Sequence, residues 1–312
     1  MAASLDASPR LGRSCSVFGV IAVVTAAAAA AILYVPVLAG LAAQWLTDDN
    51  AAYGAVVAGA AALLFVQRRT RVQALPRHAS NAGVVLLACG CLTYVIGTLA
   101  ADVSLVRLSL PMLAVGTAWF LAGPVYVRAL AAPFALCFVA IPLPSAVVTE
   151  VTMPLQLMAS QVAAAVLGGA GIPVVRDGNV LALSYVTLQV AEACSGMRSL
   201  VTLGALVAVY AAVREMPIRR IAFLGAMTVP VALVGNGLRI AVTAMLAGPF
   251  GVAATRGALH DATGWVAFVL MALALFGSAS LLDRFTAAAR PDPGSLGAEY
   301  DAVRSHAGIG PE

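Results

Sequence analysis

From Val17 to Ala42 the chain reads VFGVIAVVTAAAAAAILYVPVLAGLA, roughly 26 residues without a charge. A helix crosses the hydrocarbon core of a bilayer in about 20 apolar residues, so this block predicts a membrane span. Arg10 and Arg13 precede it in the manner of a signal peptide. A cleavable signal carries an apolar stretch of only about 7–15 residues, however, and this one is longer. The block is expected to remain as an anchor.

Similar blocks recur along the chain, at about 51–66, 82–101, 105–123, 129–143, 195–213, 221–242 and 264–282. Only 10% of the 312 residues are charged, 62% are hydrophobic and the mean hydropathy is +0.96. Soluble domains carry about 25% charged residues, so a water-soluble globule is excluded. Alanine-rich continuous blocks suit helices, whereas a transmembrane barrel alternates apolar and polar residues in short strands. The fold class is therefore an all-α polytopic membrane protein of about eight transmembrane helices. A single domain is expected over 1–283, with a cytoplasmic, disordered tail over 284–312, where Pro291, Pro293 and several glycines replace the apolar pattern. No internal repeat is evident, which argues against a transporter built of inverted halves.

All 18 basic residues are arginine, a coding preference that gives no reason to expect nucleic acid as a partner. Their distribution is informative, because cytoplasmic loops are enriched in positive charge. With the N-terminus inside, thirteen arginines fall on the inner side, including Arg68, Arg69, Arg71 and Arg77 and later Arg214, Arg219 and Arg220. Arg107, Arg176, Arg198, Arg239 and Arg256 lie on or near the outer side. This bias predicts a multi-pass protein of the plasma or inner membrane with both termini in the cytoplasm. Residues 144–193 then lie outside. Thr149, Thr152, Gln156 and Ser160 form a narrow polar stripe at steps of three and four, the pattern of an interfacial helix between spans five and six. Asp177-Gly178, between Val174-Val175 and Val180-Leu181, is a β-hairpin signal on the same outer face.

Against so apolar a background the polar exceptions stand out, and an ionisable group in or beside a span defaults to function. Glu192-Ala193-Cys194-Ser195-Gly196-Met197-Arg198 leads into the sixth span. Cys194 there meets a helix N-terminus, whose unsatisfied N–H groups favour a thiolate. Arg198 adds positive potential one turn on, and Ser195 and Gly196 allow another segment close approach. Asn236-Gly237-Leu238-Arg239, in the outer quarter of the seventh span, puts Asn236 and Arg239 on one face. His260-Asp261 precedes the eighth. Taken singly, each has a plain reading: a packed cysteine, a snorkelling arginine, a solvated histidine. Together they are the parts for acyl transfer, namely a thiolate nucleophile, a general base and acid, and a cation for an oxyanion. Cys15, Cys89, Cys91 and Cys137 read as packing residues, and no cluster has the spacing of metal ligands. Neither a metal nor a cofactor is expected.

In these motifs the sequence resembles the exosortase/archaeosortase family of integral-membrane cysteine transpeptidases. The similarity rests on Glu192 with Cys194-Ser195-Gly196, then Asn236-Gly237-Leu238-Arg239, then His260, and covers roughly 105–283. It implies a membrane cysteine protease and transpeptidase with Cys194, Arg239 and His260 as catalytic residues. It also implies substrates that are exported proteins with a C-terminal sorting signal of three parts: a short motif, a hydrophobic helix and a basic cluster. Cys194 would form a thioester, His260 would relay protons with Asp261 as a possible orienter, and Arg239 would hold the oxyanion or a substrate carboxylate. Glu192 stays open between pairing with Arg198 and contacting substrate, and the acceptor is unassigned.

Two other classes compete. A small-solute transporter would use Arg239 and Asn236 in an anion path, but the polar residues gather at one side instead of continuing through. A non-catalytic subunit of an envelope-polysaccharide assembly system leaves the trio of Cys194, Arg239 and His260 unexplained. An intramembrane protease differs from a transpeptidase only in using water as acceptor.

Overall fold

The structure is a computed structural model and describes residues 11–190, 196–255 and 257–288. It is helical throughout apart from one small sheet. Seven helices among the described residues are long and apolar enough to cross a membrane by length and composition. The chain divides into two compact units, up to Pro144 and from Ser145 onward. The tail beyond residue 288 lies outside the described residues.

The first unit holds α1 (Leu11–Thr47), α2 (Tyr53–Gln73), α3 (Ala82–Leu99), α4 (Val103–Ala122), α5 (Pro124–Ala129) and α6 (Ala131–Val139). Helices α3 and α4 pair most closely. Gly83, Gly90 and Gly97 recur every seven residues on α3, and a Cβ on any of them would stand under 3 Å from α4 atoms of Phe120, Leu113 or Val106. In a membrane, helices are held by packing at such small residues, because lipid tails remove the hydrophobic drive between them. Asp102 caps α4, its carboxylate accepting from the backbone N–H of Ser104 at 2.8 Å and of Leu105 at 3.2 Å. Arg107, one turn inside α4, donates to the side chain of Gln44 on α1.

In place of the span expected at 129–143 stands the nine-residue helix α6, parted at Leu130 from the short α5 that precedes it. Pro133 has no N–H to give the carbonyl of Ala129 four residues back, and its ring opposes a continuous helix. Arg68 Nη1 on α2 donates to that carbonyl instead, at 3.0 Å. Helix α2 itself continues seven residues past the apolar block that ended at 66, carrying Arg68, Arg69 and Arg71 in its last turns.

The second unit holds α7 (Ser145–Gly169), strands β1 (Val174–Asp177), β2 (Val180–Leu183) and β3 (Thr187–Gln189), then α8 (Met197–Arg214), α9 (Ile218–Phe250) and α10 (Ala258–Ala288). The hairpin is present as expected, with Val174 opposite Leu183 and Asp177 opposite Val180, and Gly178 (φ +57°) in its turn. The sequence had not signalled β3, which adds antiparallel to β2. Helix α7 occupies the place of the expected interfacial helix, and at 25 residues it is long and apolar enough to cross a membrane. Three members of its polar stripe face inward: Thr152, Gln156 and Ser160 are buried while Thr149 is exposed. The hairpin supplies partners to two of them, its backbone to Ser160 and the Asn179 side chain to Gln156. Ser160 Oγ lies 2.9 Å from the Gly178 carbonyl.

Ala159, Ala163 and Leu167 of α7, Leu181 and Leu183 of β2, Val190, and Ile240, Ala241 and Ala244 of α9 form one buried cluster. Small residues let α7 and α9 touch. A Cβ on Gly237 would stand 2.5 Å from the Val162 side chain. A second cluster, with Leu203, Leu224, Met271 and Leu275 at its centre, holds α8, α9 and α10 together.

Candidate active site

Helix α9 carries the centre of the site. Its 33 residues run on to Phe250, so Arg239 sits two-thirds of the way along it and not near its end as the sequence had suggested. The extension follows from composition, since residues 243–250 (TAMLAGPF) remain apolar and hold no helix stop before Pro249. Asn236 and Arg239, three residues apart, present their side chains to two different partners.

Asn236, only 1% exposed, faces the start of α8. There Gly196 takes a left-handed conformation (φ +84°) as the residue before the helix. A Cβ on Gly196 would lie 3.1 Å from Asn236 Nδ2 and 3.2 Å from its Cγ. Glycine is therefore required twice at this position, by its backbone angle and by the asparagine packed on it. The Gly196 carbonyl accepts from Leu200 N at 2.9 Å, the first bond of the helix.

Arg239 faces α10. Its Nη2 stands 3.0 Å from His260 Nε2. A guanidinium only donates, so Nε2 must accept, and the neutral imidazole carries its proton on Nδ1. Arg239 Nε is buried and meets no acceptor among the described residues, as is also true of Arg107 Nε. Gly264, one turn beyond His260, makes the room: a Cβ there would stand 3.1 Å from Nη2 and 3.3 Å from Cζ of Arg239. Two threonines bond back to the carbonyls of the pair, Thr243 Oγ1 to Arg239 O at 2.9 Å and Thr263 Oγ1 to His260 O at 2.7 Å. The ring of His260 also faces the Ala254 main chain, in the short 3-10 turn Gly251–Ala254.

His260 and Asp261 lie in the first turn of α10, which begins at Ala258, not in a loop ahead of the span. His260 is half-buried and Asp261 is exposed. Arg198, the second residue of α8, is exposed. Glu192, Cys194 and Ser195 lie outside the described residues, as does Arg256. Thus Asn236 is brought to Gly196 and Arg239 to His260, and the chain ends flanking the cysteine segment are fixed at Val190 and Gly196. Cys89 and Cys91, expected to be packing residues, are exposed on α3, and Cys137 is half-buried. Gly264 escaped sequence reasoning, since a glycine within an apolar block carries no signal of what stands above it.

Between α9 and α10 runs a cavity of about 710 Å³. It extends from Met227 and Ala274 at one end to Arg239 and Thr263 at the other, and apart from those last two its lining is apolar. The site can thus offer a cation, a histidine and an apolar approach in one unit.

A family model for transmembrane exosortases matches residues 45–277. The chain belongs to the transmembrane exosortase family. It is accordingly a membrane-embedded, multi-pass protein of sorting-signal processing. The family match reaches back to residue 45, well before the limit near 105 suggested by the motifs, and so takes in α2 and α3 of this exosortase. No curated protein and no solved structure matches the chain.

Proposed function

We propose that this exosortase is a cysteine transpeptidase that cleaves the C-terminal sorting signal of exported proteins and transfers the product to an acceptor through a thioester on Cys194. The observation that carries the reading is the pairing of Arg239 with His260 at 3.0 Å, on the same helix whose Asn236 packs against Gly196 at the end of the cysteine motif. In this reading the Cys194 thiol gives its proton to His260 Nε2 as Arg239 withdraws from it, and the resulting thiolate attacks the scissile carbonyl. The carbonyl oxygen gains the negative charge, which Arg239 stabilises by turning its guanidinium from His260 toward that oxygen. The C–N bond then breaks, and His260 passes a proton to the departing amine. An acceptor nucleophile attacks the thioester, His260 takes its proton, and the thiolate is released. Water in that role gives proteolysis.

The resting contact places a condition on the order of events. While Arg239 donates to Nε2, that lone pair cannot take a proton. Movement of the guanidinium onto the substrate oxygen therefore also frees the base, so oxyanion binding and proton transfer become one coupled step. The apolar cavity ending at Arg239 suits a substrate whose cleavage point adjoins a hydrophobic helix. The arginine distribution supports a site on the outer face of the plasma or inner membrane, with both termini cytoplasmic.

The test is processing of a co-produced exported protein ending in a short motif, an apolar helix and a basic cluster. Cys194→Ala and Cys194→Ser, at matched membrane levels, are expected to leave it unprocessed, while Cys89→Ala processes normally. In the wild type, hydroxylamine should release an acyl hydroxamate of the substrate. Normal processing by Cys194→Ala overturns the nucleophile.

A further inference from the structure

The hairpin between α7 and α8 has no part in the chemistry just described, yet its hydrogen bonds end at the cysteine motif. Val190 is the last described residue before that motif, four positions ahead of Cys194. It is 2% exposed, and both of its main-chain polar groups bond to one residue, Asn179, in the hairpin turn. Val190 N donates to the Asn179 carbonyl at 2.9 Å, and the Asn179 side-chain Nδ2 donates to the Val190 carbonyl at 3.2 Å. The second hydrogen of the same amide goes to Gln156 Oε1 of α7 at 3.1 Å. An amide nitrogen has two protons, so this one is fully used. Gln156 is 5% exposed on a helix packed against α9, the helix that carries Asn236 and Arg239.

The result is an anchor at each end of the cysteine segment. Asn179 and Gln156 fix Val190 on one side, and Asn236 fixes Gly196 on the other. The Val190 N bond to Asn179 is the next rung of the β2–β3 ladder, in which Val180 faces Gln189, so the backbone pairing holds the sheet by itself and the side-chain fork adds the bonds to the Val190 carbonyl and to Gln156. Ser160, which serves the hairpin tip at Gly178, does not reach Val190. The fork is aimed at the exit of the sheet.

We propose that Asn179 and Gln156 are positioning residues that set the location of Cys194 relative to Arg239 and His260. The inference rests on the thioester reading above. Misplacing a reacting group by about 1 Å can cost a hundredfold in rate, and a lost fork at Val190 acts on that placement without touching substrate.

The experiment uses the full chain in lipid vesicles, with saturation kinetics on the three-part substrate and all rates normalised to folded protein. Asn179→Asp keeps the shape but removes both donors and sets oxygen against two acceptors. It is expected to lower kcat about a hundredfold with KM changed less than about twofold. Gln156→Leu should lower kcat about tenfold, and Gln156→Glu, which retains an acceptor for Asn179, should recover most of it. Ser160→Ala, a hairpin-tip control, should leave kcat unchanged. A wild-type kcat in Asn179→Asp, or a rise in KM with kcat preserved, overturns the proposal. If Asn179→Asp fails to accumulate, equal kcat for Gln156→Leu and Gln156→Glu overturns it instead. Cys194→Ala measured alongside separates the two levels. Full activity there removes the thioester reading itself, whereas an inactive Cys194→Ala beside an unaffected Asn179→Asp removes only the positioning role.

Discussion

Arg239 and His260, on successive helices and 21 residues apart in sequence, meet through Nη2 and Nε2 at 3.0 Å. The contact holds a cation against a neutral imidazole and leaves the buried Nε of the arginine without an acceptor among the described residues. A purely structural arginine inside a membrane protein normally satisfies its donors with carboxylates or carbonyls, because unpaired buried donors are costly. Arg107 Nε is buried without an acceptor among the described residues in the same way, so it is the contact with His260, and not the open Nε, that sets Arg239 apart. The next two predictions test that contact.

Arg239→Lys should lose processing by about a hundredfold or more. The ammonium can reach one acceptor as a point charge, but it cannot hold His260 and present a second planar donor to an oxyanion. The check is kcat with accumulated substrate held constant. If lysine retains more than half the rate, the fork geometry is irrelevant and only charge matters.

His260→Gln tests the proton relay separately from the scaffold. A glutamine carbonyl can still accept from Arg239, so the arginine stays in place, but the amide cannot carry a proton between groups. Processing should be lost while substrate still crosslinks to the membrane protein at the wild-type level. Loss of crosslinking together with processing would assign His260 to binding.

Much of this architecture was legible from composition. Long uncharged blocks marked the helices, and Asp177-Gly178 marked the hairpin, though its turn falls one residue later, at Gly178-Asn179. What sequence could not give depends on which way a helix is turned. The stripe of Thr152, Gln156 and Ser160 reads equally well toward water or toward a buried backbone, and only the hairpin against α7 decides for the latter. The break at Leu130 depends on Pro133, yet proline also occurs inside the intact helices α4, α7 and α9, so the residue alone does not announce a break. In the site, the order of Asn236, Arg239 and His260 was readable, but the division of labour was not. Asn236 serves α8 and Arg239 serves α10 because α9 packs between them, and packing order leaves no trace in a single chain.

Gly196→Ala should destabilise the protein and impair processing together. The left-handed backbone costs an L-residue about 1–2 kcal/mol, and the new methyl would press on Asn236 at 3.1–3.2 Å. Thermal unfolding in detergent should shift downward by several degrees. An unchanged unfolding midpoint would mean that the segment before α8 adopts another backbone when occupied.

Gly264→Ala should instead separate stability from activity. Within a helix, alanine is favoured over glycine by about 0.5–1 kcal/mol, so α10 gains from the change. The methyl group would stand 3.1 Å from Arg239 Nη2 and 3.3 Å from Cζ, a separation tighter than ordinary contact. Since the neighbour is the mobile end of a long side chain, the guanidinium yields by a few tenths of an ångström and the fold loses little. That small displacement moves the donor away from His260 and from any oxyanion in front of it, and should lower kcat about tenfold. The unfolding midpoint should be equal to or slightly above wild type. A variant that is both as stable and as active as wild type would show that the Arg239 position tolerates movement, and with it that the donor is not aimed at a fixed point on the substrate.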